Sequence, residues 1–207
     1  MIELFVSAFV TFFVVIDPPG CAPIFAGLTS GATAAHRRAM AFRAIGVAAT
    51  ILLVFALAGE DLLRGLGIEL ASFRIAGGIM LFLIALEMVF EKRTQRREDR
   101  AAKVTAEEAD DVSIFPMAMP MIAGPGSIAT AMLLVSGTSG IAGGAVILAA
   151  MLANLALMLL ALLAAGPIMR VLGTRIEAVV TRLLGVILAA LATQFVLDGI
   201  RASMTAA

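Results

Sequence analysis

Two short runs rich in proline and glycine interrupt very apolar stretches, one in each half of the chain. They are Asp17–Gly20 (Asp-Pro-Pro-Gly) and Ala123–Gly126 (Ala-Gly-Pro-Gly). A helix that restarts inside a membrane presents unpaired N–H groups and about half a positive charge, which suit a carboxylate. Non-helical backbone at that depth is tolerated only where protein buries it or where it lines a wet cavity. A matched pair of breaks therefore predicts a transporter binding site between two half-helices.

The residues around these breaks and the polar groups deepest in the spans of the second half are the candidate ligand-binding groups. For Ser127, Thr130 and Gln194, which belong to the second set, the alternative is interhelical hydrogen bonding. The substrate-binding candidates are Asp17, Gly20, Cys21, Ala22, Gly124, Gly126, Ser127, Thr130 and Gln194. Asp17 is either a ligand for an ammonium group or coupling ion, or the N-cap of the half-helix that follows. The glycines either let a ligand approach the backbone or allow close helix packing. Glu87 sits near the end of a span, where we expect it to reach the membrane interface, with ion coupling as the alternative.

The composition is that of a membrane protein. The chain has 207 residues, of which 61% are hydrophobic and 14% are charged, against about 25% charged in soluble domains. Six apolar stretches are each about 20 residues long, the length that crosses a bilayer. They are Leu4–Leu28, Met40–Ala58, Leu70–Phe90, Phe115–Val135, Ile141–Ala165 and Leu183–Ile200. The expected fold class is an all-α polytopic membrane protein with six transmembrane helices.

The basic residues are divided unequally between the two sides that six spans define. Twelve of the 15 Lys and Arg residues lie in or beside the loops after spans one, three and five. Basic loops stay in the cytoplasm, so we expect those loops inside and both termini outside. The charged segment 91–113 is then a cytoplasmic linker, either partly disordered or forming a surface helix.

The linker separates two halves, 1–90 and 114–207, that share a pattern. The Pro-Gly pair at 19–20 recurs at 125–126, an offset of 106 residues, and a Ser-Gly pair follows each at the same offset. Each half has three spans, an odd number, so the second half must cross the membrane upside down relative to the first. We therefore predict two inverted three-helix repeats, with the first helix of each broken at Pro-Gly and with Gly20 equivalent to Gly126.

An ordered set of motifs along nearly the whole chain resembles the MarC family. The motifs are Asp17–Phe25, Arg74–Ile79, Pro120–Gly126, and Gln194–Phe195 with Asp198–Ile200. The resemblance implies inverted three-helix repeats. Through SnatA-like members and the related LysE superfamily, it also implies transport of small neutral amino acids such as glycine and alanine across a bacterial or archaeal inner membrane. Coupling would be to an ion gradient, of protons or sodium. Cys21 is a departure, because the family more often has Asn there.

Composition and motif content argue against several other functions. The formal net charge is zero, which gives no attraction to nucleic acid. We expect the only histidine, His36, in a loop, and Cys21 is the only cysteine, so we expect no metal site, no cofactor and no enzyme active site. The expected partners are the lipid bilayer and a small amino acid, and a homo-oligomer is compatible with the sequence. The alternatives are an ion or small-solute carrier or channel, and a regulatory membrane protein.

Overall fold

Helices form nearly all of the structure. The computed structural model describes residues 1–90, 92–102, 111–138 and 140–206, except the side chains at 94, 97, 100–102, 168–178 and 206. The elements are α1 (Ile2–Ile16), α2 (Pro18–Leu28), α3 (Ala34–Gly65), α4 (Leu70–Val89), α5 (Lys92–Ala102), an irregular segment π1 (Ser113–Ile122), α6 (Pro125–Ser136), α7 (Gly140–Leu163) and α8 (Ala165–Ala206). These ranges contain no strand, and the predicted all-α class is confirmed.

Five helical stretches of the described chain are long and apolar enough to cross a membrane. They are Ile2–Leu28, Ala34–Gly65, Leu70–Val89, Gly140–Leu163 and Val179–Thr205. The pair π1 and α6, bent by 52° at their junction, makes a sixth. The helices α3 and α8 extend well past the predicted spans, because charged residues such as Glu60 and Arg64 end an apolar stretch without ending a helix.

The first break follows from proline chemistry. Pro18 and Pro19 have no N–H, so the carbonyl groups of Val14 and Val15 lose their normal helical donors. The helix α1 ends, and Asp17 takes a left-handed conformation with φ of 60° before α2 begins.

The second break is less regular. In π1 the backbone is extended at Phe115 and Met119, each of which precedes a proline. The chain turns at Ala123 and Gly124, and α6 then starts at Pro125. Both breaks predicted from the Pro-Gly runs are therefore found.

In each half of the chain, the broken pair of helices packs against a long helix from the other half. The helix α3 of the first half packs against π1 and α6, whereas α7 of the second half packs against α1 and α2. A partly buried hydrogen bond adds to the second contact: Asn154 Nδ2 donates to the carbonyl oxygen of Phe9 at 2.8 Å. Each broken pair is thus enclosed by a long helix from the other half.

The helices α4 and α8 pack antiparallel along most of their length. Gly78 lies against Val196, and Gly185 lies against Met88, so contacts early in α4 fall late in α8. Small residues let the two backbones approach closely. The helices α4 and α8 contain the third span of each half. An inverted repeat requires these two spans to be antiparallel, and the repeat itself stays a prediction.

The linker contains the helix α5, one of the two forms expected for it. Residues 91 and 103–110 of the predicted linker lie outside the described residues, as do the side chains of five basic residues used to predict orientation, Arg97, Arg100, Lys103, Arg170 and Arg175. Beyond that gap, Asp111 pairs with Arg43 of α3 at 2.8 Å. Burial raises the pKa of Asp111, but hydrogen bonding from Ser113 and the charge of Arg43 outweigh it, and the pKa lies below its usual value.

Candidate functional site

A cavity of about 280 Å³ opens at the second break. Its walls come from five elements, with the start of α6 at one side and α4 and α5 at another. The lining residues are Val15, Met80, Leu83, Ile84, Glu87, Arg93, Arg96, Pro120, Met121, Gly124, Pro125, Gly126 and Ser127. Three sequence-predicted site residues, Gly124, Gly126 and Ser127, are therefore brought together in one cavity.

The N-terminus of α6 presents unpaired donors to this cavity. Gly124 is its N-cap and supplies no side-chain cap. The first backbone donor bonded back to the cap is Ile128, whose N–H reaches the Gly124 carbonyl at 3.0 Å. The N–H groups of Gly126 and Ser127 precede that bond, and Pro125 has no N–H. The positive end of α6 therefore faces the cavity.

Ser127 adds a hydroxyl group to the same wall. The residue is 3% exposed, it lines the cavity, and its hydroxyl forms no hydrogen bond with the described residues. The hydroxyl is therefore available to a molecule that enters the cavity.

The N-terminus of α2 is capped from within the chain. The Asp17 carboxylate accepts a hydrogen bond from the Gly20 N–H at 3.2 Å, and the Asp17 carbonyl accepts from Cys21 N–H at 3.1 Å. Cys21 directs its sulfur to the Ile16 carbonyl at 3.6 Å. Asp17, Gly20, Cys21 and Ala22 are buried at the first break and lie outside the cavity lining. Asp17 acts here as the N-cap, one of its two expected roles.

Val15 connects the two breaks. Its side chain lines the cavity and lies 3.5 Å from the position that a Cβ would take on Gly126. Pro19 has no N–H to donate to the Val15 carbonyl oxygen. That oxygen instead accepts a hydrogen bond from Arg93 Nη2 at 2.7 Å. The end of α1, the start of α6 and the linker helix α5 therefore meet at one place.

The charged groups of the cavity were not predicted as site residues. Glu87 pairs with Arg96 of α5 at 2.7 Å, and the Glu87 side chain is 20% exposed. One sequence signal pointed to it. Met80, Leu83, Ile84 and Glu87 are spaced as one face of a helix, and that face lines the cavity. Within the described residues, His, Cys, Asp and Glu form no group of three or more that could hold a metal ion.

The last two predicted site residues lie elsewhere. Gln194 is exposed on α8 and donates from Nε2 to Asp198 Oδ1 at 2.8 Å. Thr130 is fully buried on α6, outside the cavity lining, and its hydroxyl has no hydrogen-bond partner among the described residues.

Replacing Thr130 with Val should stabilise the protein. The side chain keeps its shape, while a buried hydroxyl without a partner, which costs about 1–3 kcal/mol, is removed. The measurement is the thermal unfolding midpoint in detergent. Thr193→Val is the control, because Thr193 is exposed and bonds its own helix at 2.8 Å. A lower midpoint for Thr130→Val would show that this hydroxyl has a stabilising partner in the folded protein.

Helices that are long and apolar enough to cross a bilayer, two of them interrupted by a break, define this chain as an integral membrane protein. The family described as MarC family integral membrane protein matches residues 2–204, and the chain belongs to that family. No solved structure matches it.

The similar proteins are full-length matches from archaea and bacteria. A UPF0056 membrane protein of Methanocaldococcus jannaschii is 36% identical over 206 residues, 98% of each chain. The UPF0056 membrane protein YvbG of Bacillus subtilis is 36% identical over 203 residues, 97% of this chain and 96% of its own. The UPF0056 inner membrane protein YhgN of Escherichia coli is 35% identical over 196 residues, 95% of each chain.

Proposed function

We propose that this chain is a secondary transporter that moves small neutral amino acids of the glycine and alanine type across the cell membrane, coupled to a proton or sodium gradient. One observation carries the proposal: the uncapped, positive end of α6 lines a small cavity where two broken spans meet. Broken helices that point their N-termini at a cavity are how transporters bind anionic groups of a substrate without a buried lysine.

The difference between the two breaks supports a carboxylate ligand. At the offset of 106 residues, Asp17 corresponds to Ala123. The Asp17 carboxylate caps α2, whereas Ala123 offers no carboxylate to α6. The equivalent place at α6 is thus open to the carboxylate of a ligand, which would accept from the N–H groups of Gly126 and Ser127 and from the Ser127 hydroxyl.

The size and walls of the cavity support a small ligand. Its volume of about 280 Å³ lies below the usual range of about 300–1,000 Å³ for pockets that hold drug-sized molecules. Leu83, Ile84 and Met121 provide apolar surface beside the charged groups. This combination suits an amino acid with a short aliphatic side chain.

The setting proposed for this activity is a bacterial or archaeal inner membrane, with both termini outside and the linker in the cytoplasm. In that orientation the cavity, bordered by Arg93 and Arg96 of the linker helix, opens towards the cytoplasm. The SnatA-like resemblance implies the same substrate class.

Proteoliposomes containing the purified protein test the proposal directly. They are given radiolabelled glycine, alanine or threonine under imposed proton and sodium gradients. We expect glycine and alanine to accumulate with one of the two gradients and to stop when that gradient is collapsed. Ion flux without any amino acid movement would instead favour an ion carrier, and no movement of either would contradict the proposal.

Ser127→Ala should raise the KM for alanine about tenfold. A hydrogen bond to a charged group contributes about 1.5–3 kcal/mol, and the lost hydroxyl is one of three proposed donors. The matched control is Ser136→Ala on the same helix, because Ser136 bonds only backbone carbonyls of its own helix, at 2.7 Å to Met132. An unchanged KM for Ser127→Ala would remove Ser127 from the site.

A further inference from the structure

We propose that Glu87 binds the ammonium group of the substrate, and that Arg96 forms an ion pair with Glu87 while no ligand is bound. This inference rests on the proposed function, which it extends from a carboxylate site to a zwitterion site. It assigns to the cavity a residue that selects amino acids over simple carboxylic acids.

Glu87 is placed to provide the negative charge that the ammonium group of a zwitterion needs. A zwitterion needs donors for its carboxylate and an acceptor for its ammonium. Gly126 and Ser127 offer donors at the start of α6, and among the described residues that line this cavity Glu87 is the only carboxylate. Ser127, a residue that is 3% exposed and lines the cavity, indicates where the carboxylate end of the ligand binds.

The present partner of Glu87 is suited to being displaced. Arg96 reaches Glu87 at 2.7 Å from the surface helix α5, and its side chain is 57% exposed. Ion pairs with such exposure are weak, because water solvates the separated charges well. A ligand ammonium can therefore take the carboxylate, while the Arg96 guanidinium turns to solvent and no buried charge is left unpaired.

Arg93 keeps the linker helix in place during that exchange. Its guanidinium is bound to the Val15 carbonyl at 2.7 Å and to the Met88 sulfur at 2.9 Å, neither of which the ligand needs. Exchange of partners at Glu87 therefore does not require α5 to leave the cavity.

Competition binding in detergent tests the inference. Radiolabelled alanine is displaced by unlabelled alanine or by propionate, which has the carboxylate and lacks the ammonium. Wild type should prefer alanine. Glu87→Gln should lower alanine affinity at least tenfold and leave propionate affinity within twofold of wild type, so that the preference is lost. The controls are Glu60→Gln and Arg64→Gln, which disrupt a separate ion pair of 3.0 Å and should change neither affinity.

Arg96→Gln gives a second result that misfolding cannot produce. Removing the competitor for Glu87 should raise alanine affinity several-fold and leave propionate affinity unchanged. A Glu87→Gln protein that binds alanine as tightly as wild type, or an Arg96→Gln protein with weakened alanine binding, would overturn the assignment while the carboxylate site stands. A wild-type protein that binds neither glycine nor alanine would overturn the proposed function along with it.

Discussion

Gly124→Ala is expected to abolish transport and to reduce severely the amount of folded protein. A Cβ on Gly124 would run into the carbonyl oxygen of Pro120. That oxygen belongs to the backbone of π1, so it cannot turn aside as the end of a flexible side chain can. The turn at Ala123 and Gly124 would have to open, and the start of α6 would leave the cavity wall.

Fluorescence-detected size exclusion in detergent and liposome uptake measure the two effects. Gly144→Ala is the matched control, since a Cβ there meets nothing within 4 Å, and it should behave as wild type. A monodisperse, fully active Gly124→Ala protein would show that the turn adjusts freely and that this glycine is not required.

Gly126→Val should reduce transport by at least a hundredfold while the protein still folds. Its Cβ would lie 2.7 Å from Ile84 Cδ1 and 3.5 Å from both Leu81 and Val15. The nearest of these atoms is the end of a flexible side chain, which can turn away at modest cost. The added methyl groups then occupy the space between α6, α4 and α1 at the cavity wall, where the ligand must reach the N–H groups.

The expected observation is a monodisperse protein without alanine uptake, with Gly126→Ala intermediate. Gly144→Val should retain uptake. Wild-type uptake by Gly126→Val would mean that Gly126 only packs helices. The contact with Ile84 shows that Gly126 has a packing role in addition to any binding role, so both interpretations of this glycine apply to the same residue.

The breaks were predictable because their cause is local. Pro18 and Pro19 remove two donors from one turn, and any apolar helix that reaches them must end. The spans were predictable for a similar reason, since length and hydrophobicity alone decide which stretches cross a bilayer. The helix ends were predicted less well, because α3 continues through Gly59, Glu60 and Arg64 and ends only at Gly65.

The charged wall of the cavity could not be predicted as a whole, because its contacts depend on where the linker helix α5 folds back onto the spans. Arg93 meets Val15 at a separation of 78 residues, and no pattern in the linker marks that pairing. Glu87 and Arg96 are close in the chain, but a turn lies between α4 and α5, and its direction decides whether they meet. Gln194 was selected for its depth in a span, yet its side chain is on the exposed face of α8.

The packing of α1 and α2 against α7, a helix of the other half, has a consequence for synthesis of the protein. When α1 to α4 have left the ribosome, α7 does not yet exist, and the surface of α1 and α2 that it will cover faces lipid or the insertion machinery. The Val15 carbonyl at the end of α1 also lacks its hydrogen-bond donor until Arg93 has been synthesised. The first half must therefore remain an unfinished intermediate until α7 is inserted. Expressed alone, residues 1–90 should be degraded, and co-expression with the rest of the chain should rescue them.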